Sequence, residues 1–580
     1  MENKLPRSEY PRPSLVREAW TNLNGEWEFE FDETKRGFDL KYFERDSLNG
    51  RIIVPFCPES KLSGIGDTDF HNCVWYRRNI EIPEGEKGKR VILHIGASDY
   101  ETTVYVNGIK VGTHKGGYSS FSFDITDQLK DEDNYITVAV LDDTRSGNQP
   151  VGKQCPAYHS EWCFYTRTTG IWQTVWLEYA DDARLLSYYT VSDLENVSVI
   201  VNAKLTKAAI GGKLCAKVYY EGKEVGAAST GIYSQSQSFE IKLSEKHLWE
   251  VGCGRLYDVV FTLQKNGETR DEANGYFGLR TVGLDEKRFL LNGKTVFGRW
   301  VLDQGFYPDG IYTAPSDEAL KADILYAMEL GFNGARLHEK VFEERFLYHA
   351  DKLGYLCWGE FANWGHNIFN YEGLAGILPE WIEAMERDMN HPSIIGWCPL
   401  NETWNQTSRA CRQDDRVVEH LYRVTKAIDP SRPCIDTSGN FHVLTDIFDV
   451  HDYEQDPEKF KSHYETLKGD VNFRRESDRG RQIYRGEPYF NSEYGGIKWT
   501  GKSDDDSWGY GVPKSEEEFL ERYKALTDVL LDDDRMLGFC YTQLYDVEQE
   551  KNGLMTYERK HKFDPEFIRS VNSRKAAIED

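Results

Sequence analysis

The chain has 580 residues, enough for about three domains with separate hydrophobic cores. Its formal net charge of −26 disfavours nucleic acid as a partner, and it contains no apolar run long enough to span a membrane. Its 11 cysteines include no C-x-x-C pair and no secretion signal is visible, which is typical of free thiols in the cytoplasm and not of a disulfide framework or a zinc site.

Residues 1–180 predict an all-β domain. Short runs of alternating apolar and polar residues recur at close spacing, and no long amphipathic helix interrupts them. The clearest hairpin signal is Asn107-Gly108 directly after the run 103–106, because this pair favours the two-residue turns that join antiparallel strands. Regular strands and turns of this kind predict a β-sandwich.

Residues 181–284 continue the β pattern. The runs 196–201, 214–220 and 257–263 have the composition of strands, and Asn266-Gly267 is a turn signal. A segment of roughly 100 residues with this rhythm predicts an immunoglobulin-like β-sandwich.

From residue 285 to 580 strand-like runs alternate with helix-like ones. The predicted helix 319–330 follows Ser316-Asp317-Glu318, a serine cap with acidic residues behind it, and Gly331 ends it. The eight strand-like runs are 295–299, 333–338, 355–361, 394–400, 433–436, 447–451, 488–494 and 537–542. Eight alternating units over this length predict a (β/α)8 barrel.

Two of these runs end in a glutamate with aromatic neighbours, Glu402 and Glu493. The active site of a parallel barrel lies at the carboxyl ends of its strands, and the 91 residues from 402 to 493 match three βα units of roughly 30 residues. Two carboxylates in one pocket are the chemistry of a glycosidase. We therefore predict Glu402 as the acid/base and Glu493 as the nucleophile.

Residues beside the two glutamates are candidates for binding the sugar. Asn401 precedes the acid and is expected to bond the sugar 2-hydroxyl, a contact that strengthens in the transition state. Tyr494 follows the nucleophile and is expected to orient it. The candidates for stacking on sugar faces are Trp358, Trp404 and Trp499.

Other polar residues allow two interpretations. Asp303, after the first predicted barrel strand, would either bind sugar hydroxyls or cap a turn. His338 and His451 would either line the site or be core histidines bonded to the backbone. Glu487 is a rival nucleophile, but it precedes its apolar run and is therefore expected at the opposite rim.

Several motifs resemble those of glycoside hydrolase family 2, the group of β-galactosidases, β-glucuronidases and β-mannosidases. They are the opening 20–27, the runs 104–108 and 170–173, and Asn390 to Trp397 leading into Asn401-Glu402. The resemblance covers nearly the whole chain. It implies a jelly-roll sugar-binding-like domain over 1–180, an immunoglobulin-like sandwich over 181–284 and a catalytic (β/α)8 barrel over 285–580.

The same resemblance implies a retaining mechanism with Glu402 as acid/base and Glu493 as nucleophile. Further positions match residues near the pocket or residues that help to hold the nucleophile and the sugar. These positions are Arg336, His338, His451 and Tyr453.

The sequence departs from both main branches of the family. The Asn-Arg-His-Glu run of the β-galactosidases is replaced by Trp300 to Pro308, and Trp364 stands where their first magnesium-binding Glu is expected, although His366 and Glu402 remain. The Asn-x-Lys motif with which β-glucuronidases hold the sugar carboxylate is absent around residues 550–553.

A uronic acid would then need another cation, such as Lys551 or the Arg474-Arg475 pair. The leading expectation is a retaining exo-glycosidase that cleaves terminal β-glycosidic bonds of small carbohydrates, β-galactosidase-like by default. The alternatives are a β-hexuronidase of the same family and a non-catalytic carbohydrate-binding protein. We expect no cofactor and no bound metal, and self-association into a homo-oligomer stays open.

Overall fold

The structure is a computed structural model that describes residues 5–403, 413–439, 441–465, 484–501 and 506–579. Two antiparallel β-sandwiches are followed by a parallel barrel with helices, which confirms the predicted fold class. None of the helices described is both long and apolar enough to cross a membrane. The cysteines within the same ranges are all free.

The first sandwich is formed by twelve strands. They are β1 Trp20–Asn22, β2 Gly25–Phe31, β3 Gly50–Val54, β4 Cys73–Ile80, β5 Arg90–Ile95, β6 Ser98–Asp99, β7 Glu101–Val106, β8 Ile109–Lys115, β9 Phe121–Asp124, β10 Asn134–Leu141, β11 Gly170–Ile171 and β12 Val175–Ala180. The two main sheets have the orders β1-β12-β5-β9 and β3-β2-β4-β10-β7-β8. Asn107 and Gly108 form the predicted turn between β7 and β8, and both have positive φ, as such tight hairpins require.

The second sandwich packs a three-stranded sheet on a four-stranded one, in the orders β13-β14-β17 and β16-β15-β18-β19. Its strands are β13 Leu185–Asp193, β14 Ser198–Leu205, β15 Lys213–Tyr220, β16 Lys223–Gly231, β17 Ser236–Lys242, β18 Tyr257–Lys265 and β19 Glu268–Phe277. Leu214, Ala216 and Val218 alternate along β15 and are buried, the period expected when one face of a strand covers a core.

The barrel sheet has the order β26-β25-β24-β23-β29-β28-β27, and every pairing in it is parallel. A small sheet before the barrel has the strands β20 Val282–Leu284, β21 Phe289–Leu291 and β22 Lys294–Thr295. The barrel strands are β23 Gly298–Asp303, β24 Gly334–Leu337, β25 Leu356–Glu360, β26 Ile394–Cys398, β27 Phe448–Asp452, β28 Tyr489–Gly495 and β29 Met536–Thr542.

Residues 433–438 occupy the eighth position, between β26 and β27. Isolated parallel bridges join Trp397 to Cys434 and Asn401 to Ser438, and the Ser438 hydroxyl donates to Asp449 on β27 at 2.6 Å. The first barrel strand begins at Gly298 and not near residue 295, because the chain up to 295 is used by the antiparallel pair β21 and β22.

In the described part of the chain, seven α-helices surround the barrel or lie beside it. They are α1 Asp317–Glu329, α2 Glu344–Leu353, α3 Leu374–Asp388, α4 Asp415–Ile428, α5 Pro457–Glu465, α6 Glu516–Leu531 and α7 Pro565–Asn572. Ser316 caps α1 as predicted, since its side chain accepts a hydrogen bond from the amide of Ala319 at 3.2 Å.

A loop of the first sandwich, residues 143–167, is docked on the barrel. The amide of Val151 donates to the carbonyl of Trp364 at 2.8 Å, and the Gln549 side chain donates to the carbonyl of Phe164 at 2.9 Å. This sandwich loop therefore contacts the segments that follow β25 and β29, at the rim where the catalytic carboxylates are expected.

Candidate active site

Glu402 and Glu493 meet at the carboxyl end of the barrel. Glu402 follows β26 and Glu493 lies on β28. One side-chain oxygen of each, together with a ring nitrogen of His451, lies within 4.8 Å of the others. Such a short distance between carboxylates suits direct attack by one of them, whereas an inverting enzyme needs a gap of about 6.5–9.5 Å for a water molecule.

Glu493 is held by three neighbours and is 4% exposed. Arg336 Nη1 donates to Oε1 at 2.8 Å, the hydroxyl of Tyr453 donates to Oε2, and His451 Nδ1 lies 3.3 Å from Oε2. Tyr453 is itself stacked on Tyr510 at a ring distance of 3.6 Å. These contacts fix the carboxylate in one orientation and stabilise its negative charge.

Arg336 is the centre of this network. Its Nε donates to Glu360 Oε2 at 2.6 Å, and its Nη2 donates to Asn401 Oδ1 at 2.7 Å. The other oxygen of Glu360 lies 2.7 Å from His338 Nδ1. All four residues are at most 2% exposed, so the guanidinium is committed to these partners and to Glu493.

Glu402 has a left-handed backbone with φ 46°, which is uncommon for a residue other than glycine and is found repeatedly at functional sites. His451 Nδ1 lies 2.7 Å from its Oε1. Burial raises the pKa of Glu402, but the hydrogen bond and charge of His451, with the charges of Lys153 and Arg336, outweigh burial and hold the pKa below its usual value.

Asn401 presents an unused donor beside the acid. Its carbonyl oxygen accepts from Arg336, whereas its amide nitrogen Nδ2 is buried and has no hydrogen-bond partner among the residues that the structure describes. A buried polar group without a partner is costly, so this nitrogen suits a ligand hydroxyl.

Two predicted contacts are wrong. Tyr494 points away from Glu493, and its hydroxyl lies 2.8 Å from Thr527 on α6, because successive side chains of a strand face opposite sides. Trp358 is 1% exposed and packs inside the barrel against Trp300 at a ring distance of 5.8 Å, so it offers no face for stacking on a sugar.

Other predicted residues lie apart from this network. Asp303 accepts from the Gly305 amide at 2.9 Å and from the Tyr545 hydroxyl at 2.5 Å, and burial with the charge of Asp323 raises its pKa to about 6. Glu487 precedes β28, at the opposite end of the strand from the site. Trp404 and the Arg474-Arg475 pair lie outside the described residues.

Family models of the glycosyl hydrolases family 2 match three successive parts of the chain. The sugar binding domain matches residues 65–177, the next model matches 183–280 and the TIM barrel domain matches 282–533. The chain belongs to glycosyl hydrolase family 2. Relatives in this family are glycosidases, and the chain is accordingly a hydrolase of O-glycosyl bonds.

Named relatives fall into two groups. A β-galactosidase of Thermoanaerobacter pseudethanolicus is 28% identical over 74% of this chain, which spans only 56% of that relative. A β-glucuronidase of Paenibacillus borealis is 25% identical over 97% of this chain and 98% of its own length. A solved Ruminococcus gnavus β-glucuronidase has a TM-score of 0.81 over 98% of this chain and 100% of its own, and at 18% identity it shows the shared fold alone.

The magnesium site of the family's β-galactosidases does not fit the residues of this family 2 chain. Trp364, at the position of the expected Glu, offers no oxygen ligand, and its indole donates to the carbonyl of Asn401 at 3.2 Å. His366 Nε2 lies 2.7 Å from the carbonyl of Gly373, so that nitrogen is already used.

A cation between Glu402, His451 and Glu493 is equally disfavoured. Their donor atoms lie within 4.8 Å of one another, but Arg336 and Tyr453 already donate to Glu493. A guanidinium in contact with the same carboxylate would repel a metal ion.

Three buried residues of the site were not predicted. Glu360 ends the apolar run of β25 and carries the same signal that identified Glu402, so it was available from the sequence. Lys153 comes from the sandwich loop and Glu550 from the segment after β29, and they are 5% and 2% exposed. No periodicity in the sequence indicates that these two segments meet at the catalytic rim.

Proposed function

We propose that the protein is a retaining exo-glycosidase that removes terminal β-linked sugars. The observation that carries this proposal is the spacing of Glu402 and Glu493, whose nearest oxygens lie within 4.8 Å. Exo action is supported by the sandwich loop 143–167, which lies against the barrel at the rim where the two carboxylates lie.

In the first step the Glu493 carboxylate attacks the anomeric carbon and the bond to the glycosidic oxygen breaks. Glu402 gives its proton to that oxygen, so the aglycone leaves as an alcohol and a glycosyl ester remains on Glu493. In the second step Glu402, now a carboxylate, takes a proton from water as the water oxygen attacks the anomeric carbon, and the bond from that carbon to Glu493 breaks, which releases the Glu493 carboxylate. Two inversions at one carbon give retention.

The first step requires a protonated Glu402, whereas His451, Lys153 and Arg336 hold its pKa low. A sugar bound against Glu402 would exclude water from the carboxyl group and raise its pKa, so binding and protonation are coupled. The low pKa suits the second step, in which Glu402 acts as a base.

The terminal sugar has two candidates. A β-galactoside is the first, supported by the galactosidase relative at 28% identity. A β-hexuronide is the second, supported by the full-length match to a β-glucuronidase and by Lys153, a buried cation on the wall of the site. Hydrolysis of a panel of nitrophenyl β-glycosides, including galactoside, glucoside, glucuronide and galacturonide, separates the two.

The mechanism has a direct test in the products. Proton NMR during hydrolysis should show that the first product has the anomeric configuration of the substrate, and inversion would contradict the assignment.

Glu493→Gln should lose turnover by about 1,000-fold or more on every substrate. Glu402→Gln should form the glycosyl-enzyme readily from a dinitrophenyl glycoside, whose leaving group needs no proton, but not from an alkyl glycoside.

A non-catalytic carbohydrate-binding protein is the remaining alternative. It predicts sugar binding without release of nitrophenol, and it gives no role to the buried network around Glu493. Mass spectrometry after incubation with a 2-deoxy-2-fluoro glycosyl fluoride would show one added sugar on Glu493 in the enzyme and none in the Glu493→Gln variant.

A further inference from the structure

Lys153 is delivered to the catalytic rim by the first sandwich. Its ammonium lies 4.0 Å from the ring centre of Trp364, whose indole donates to the carbonyl of Asn401, the residue before Glu402. Trp364 thereby links the lysine to the backbone of the residue that precedes the proposed acid/base. A lysine on an aromatic face is attracted by the ring but keeps its three N–H donors available for other partners.

Within the part of the chain that the structure describes, the ammonium of Lys153 has no hydrogen bond and no ion pair within 4.0 Å. Burial lowers the pKa of Lys153, but Cys163 and the carboxyl groups of Glu550, Glu493 and Glu402 outweigh burial and raise it. A buried, charged lysine without a fixed partner is suited to donate hydrogen bonds to a polar group of a ligand.

Glu550 supplies a hydrogen-bond acceptor near Lys153. Its Oε2 accepts from the hydroxyl of Tyr165, and its Oε1 accepts from Asn552 at 2.8 Å. Tyr165 also pairs with Lys153, because its amide donates to the lysine carbonyl at 2.8 Å. Asn552 is held in turn by Gln543 at 2.8 Å, so the Glu550 carboxylate is fixed and retains room for further donors.

We propose that Lys153 and Glu550 bind hydroxyl groups of the terminal sugar as a donor and an acceptor, and that this sugar is therefore uncharged. The proposal rests on the proposed glycosidase function and names its substrate class. Neighbouring hydroxyls of a neutral sugar accept from an ammonium and donate to a carboxylate, which satisfies both buried charges at once.

The charges of the site oppose a uronic acid. Glu402, Glu493 and Glu550 are three carboxyl groups around one uncommitted ammonium, since Arg336 is engaged by Glu360 and Glu493. Because Glu402 is protonated when it acts as the acid, a sugar carboxylate would be a third negative charge beside Glu493 and Glu550. Lys153 alone would not compensate both Glu550 and the substrate.

The unmodified enzyme provides the first test. Its kcat/KM on the best neutral nitrophenyl β-glycoside should exceed that on the β-glucuronide and the β-galacturonide by about 100-fold or more. Equal or better hydrolysis of a uronide would overturn the proposal. This measurement needs no variant and therefore does not depend on whether any variant folds.

Variants of Lys153 and Glu550 test the two proposed contacts. Lys153→Met and Glu550→Gln should each lower kcat/KM on the neutral substrate by about 100-fold, because each leaves a substrate hydroxyl and a buried partner unsatisfied. Lys153→Arg keeps the charge and should recover part of the loss. The matched controls are Lys110→Met and Glu558→Gln, both at exposed positions, which should match the unmodified enzyme.

The ratio of kcat/KM on the uronide to kcat/KM on the neutral glycoside distinguishes contact with the sugar from a structural role. Glu550→Lys should raise kcat/KM on the uronide relative to the neutral glycoside, a change that a general loss of stability would not produce. A loss confined to the uronide in Lys153→Met would assign Lys153 to a sugar carboxylate and refute the neutral class. Failure of the glycosidase function itself would instead appear as no hydrolysis of any substrate and no covalent label on Glu493.

Discussion

The imidazole Nδ1 of His451 lies 2.7 Å from Oε1 of Glu402. The same nitrogen lies 3.3 Å from Oε2 of Glu493, so one ring stands between the two catalytic candidates. Burial raises the pKa of Glu402, the proposed acid/base, but the proximity of His451 outweighs burial and lowers it. The protonation state of Glu402 is therefore controlled by a neighbour that takes no part in bond cleavage.

Replacing His451 with Leu should move the alkaline limb of the kcat/KM–pH profile to higher pH. That limb reports loss of the proton from the acid of the free enzyme, and the variant removes the hydrogen bond and charge that lower the pKa of Glu402. His451→Asn keeps an N–H donor and should shift the limb less. An unchanged limb in the Leu variant, measured on an alkyl glycoside, would exclude His451 as the cause.

Glu360 is expected to act as a positioning residue. It is 2% exposed and accepts from Arg336 Nε at 2.6 Å, while Arg336 holds Glu493 at 2.8 Å. Glu360→Gln removes the charge that orients the guanidinium and should lower kcat by about 100-fold with little change in KM, because the nucleophile is displaced. Steady-state kinetics measure both constants.

The control for Glu360→Gln is Glu386→Gln on the outer face of α3. It removes an equal charge from an exposed position and should leave kcat unchanged. If Glu360→Gln keeps the kcat of the unmodified enzyme, the chain of contacts from Glu360 to Glu493 has no catalytic role.

His442 is expected to stabilise the contact between segment 433–438 and β27 in the barrel. Its Nδ1 lies 2.7 Å from Asp436 Oδ1 and its Nε2 lies 3.1 Å from Asp449 Oδ1. His442→Asn should lower the free energy of unfolding by about 3 kcal/mol, because it leaves a buried aspartate without its partner. Denaturation by urea measures the loss, and His420→Asn on the exposed side of α4 is the control.

The pH dependence of this stabilisation follows from two opposite shifts. Burial lowers the pKa of His442, but Asp436 and Asp449 raise it well above its usual value. The contribution of His442 to the free energy of unfolding is therefore full below about pH 6.5 and is lost as pH rises through the raised pKa. Burial raises the pKa of Asp449, but His442 lowers it to about 2, so that contribution is lost as pH falls toward 2. A His442→Asn penalty that stays constant from pH 6 to pH 10 would contradict the shift of His442, and one that stays constant from pH 4 down to pH 2 would contradict the shift of Asp449.

The sequence predicted the parts of the site that follow from strand periodicity. Glu402 and Glu493 each complete an apolar strand, and a parallel barrel brings such ends together. The same periodicity excludes Tyr494, because the residue after an inward-facing one must face outward. Lys153 and Glu550 could not be predicted, since their meeting depends on how a sandwich loop docks on another domain, which neither composition nor spacing encodes.

Arg17 is expected to hold the two sandwiches together. It is 5% exposed, and its Nε and Nη2 donate to Asp271 on β19 at 2.9 and 2.8 Å, while Nη1 donates to Glu178 on β12 at 3.1 Å. Arg17→Met leaves two buried carboxylates without this cation and should cost about 3–5 kcal/mol of the stability of the linked sandwiches. Because the barrel carries the proposed catalytic pair, kcat below the melting transition should not change. Thermal melting should show an earlier first transition, whereas Arg51→Met, at an exposed position on β3, should melt like the unmodified protein. A first transition at the same temperature in Arg17→Met would mean that the sandwiches are held by their apolar contacts and not by this ion pair.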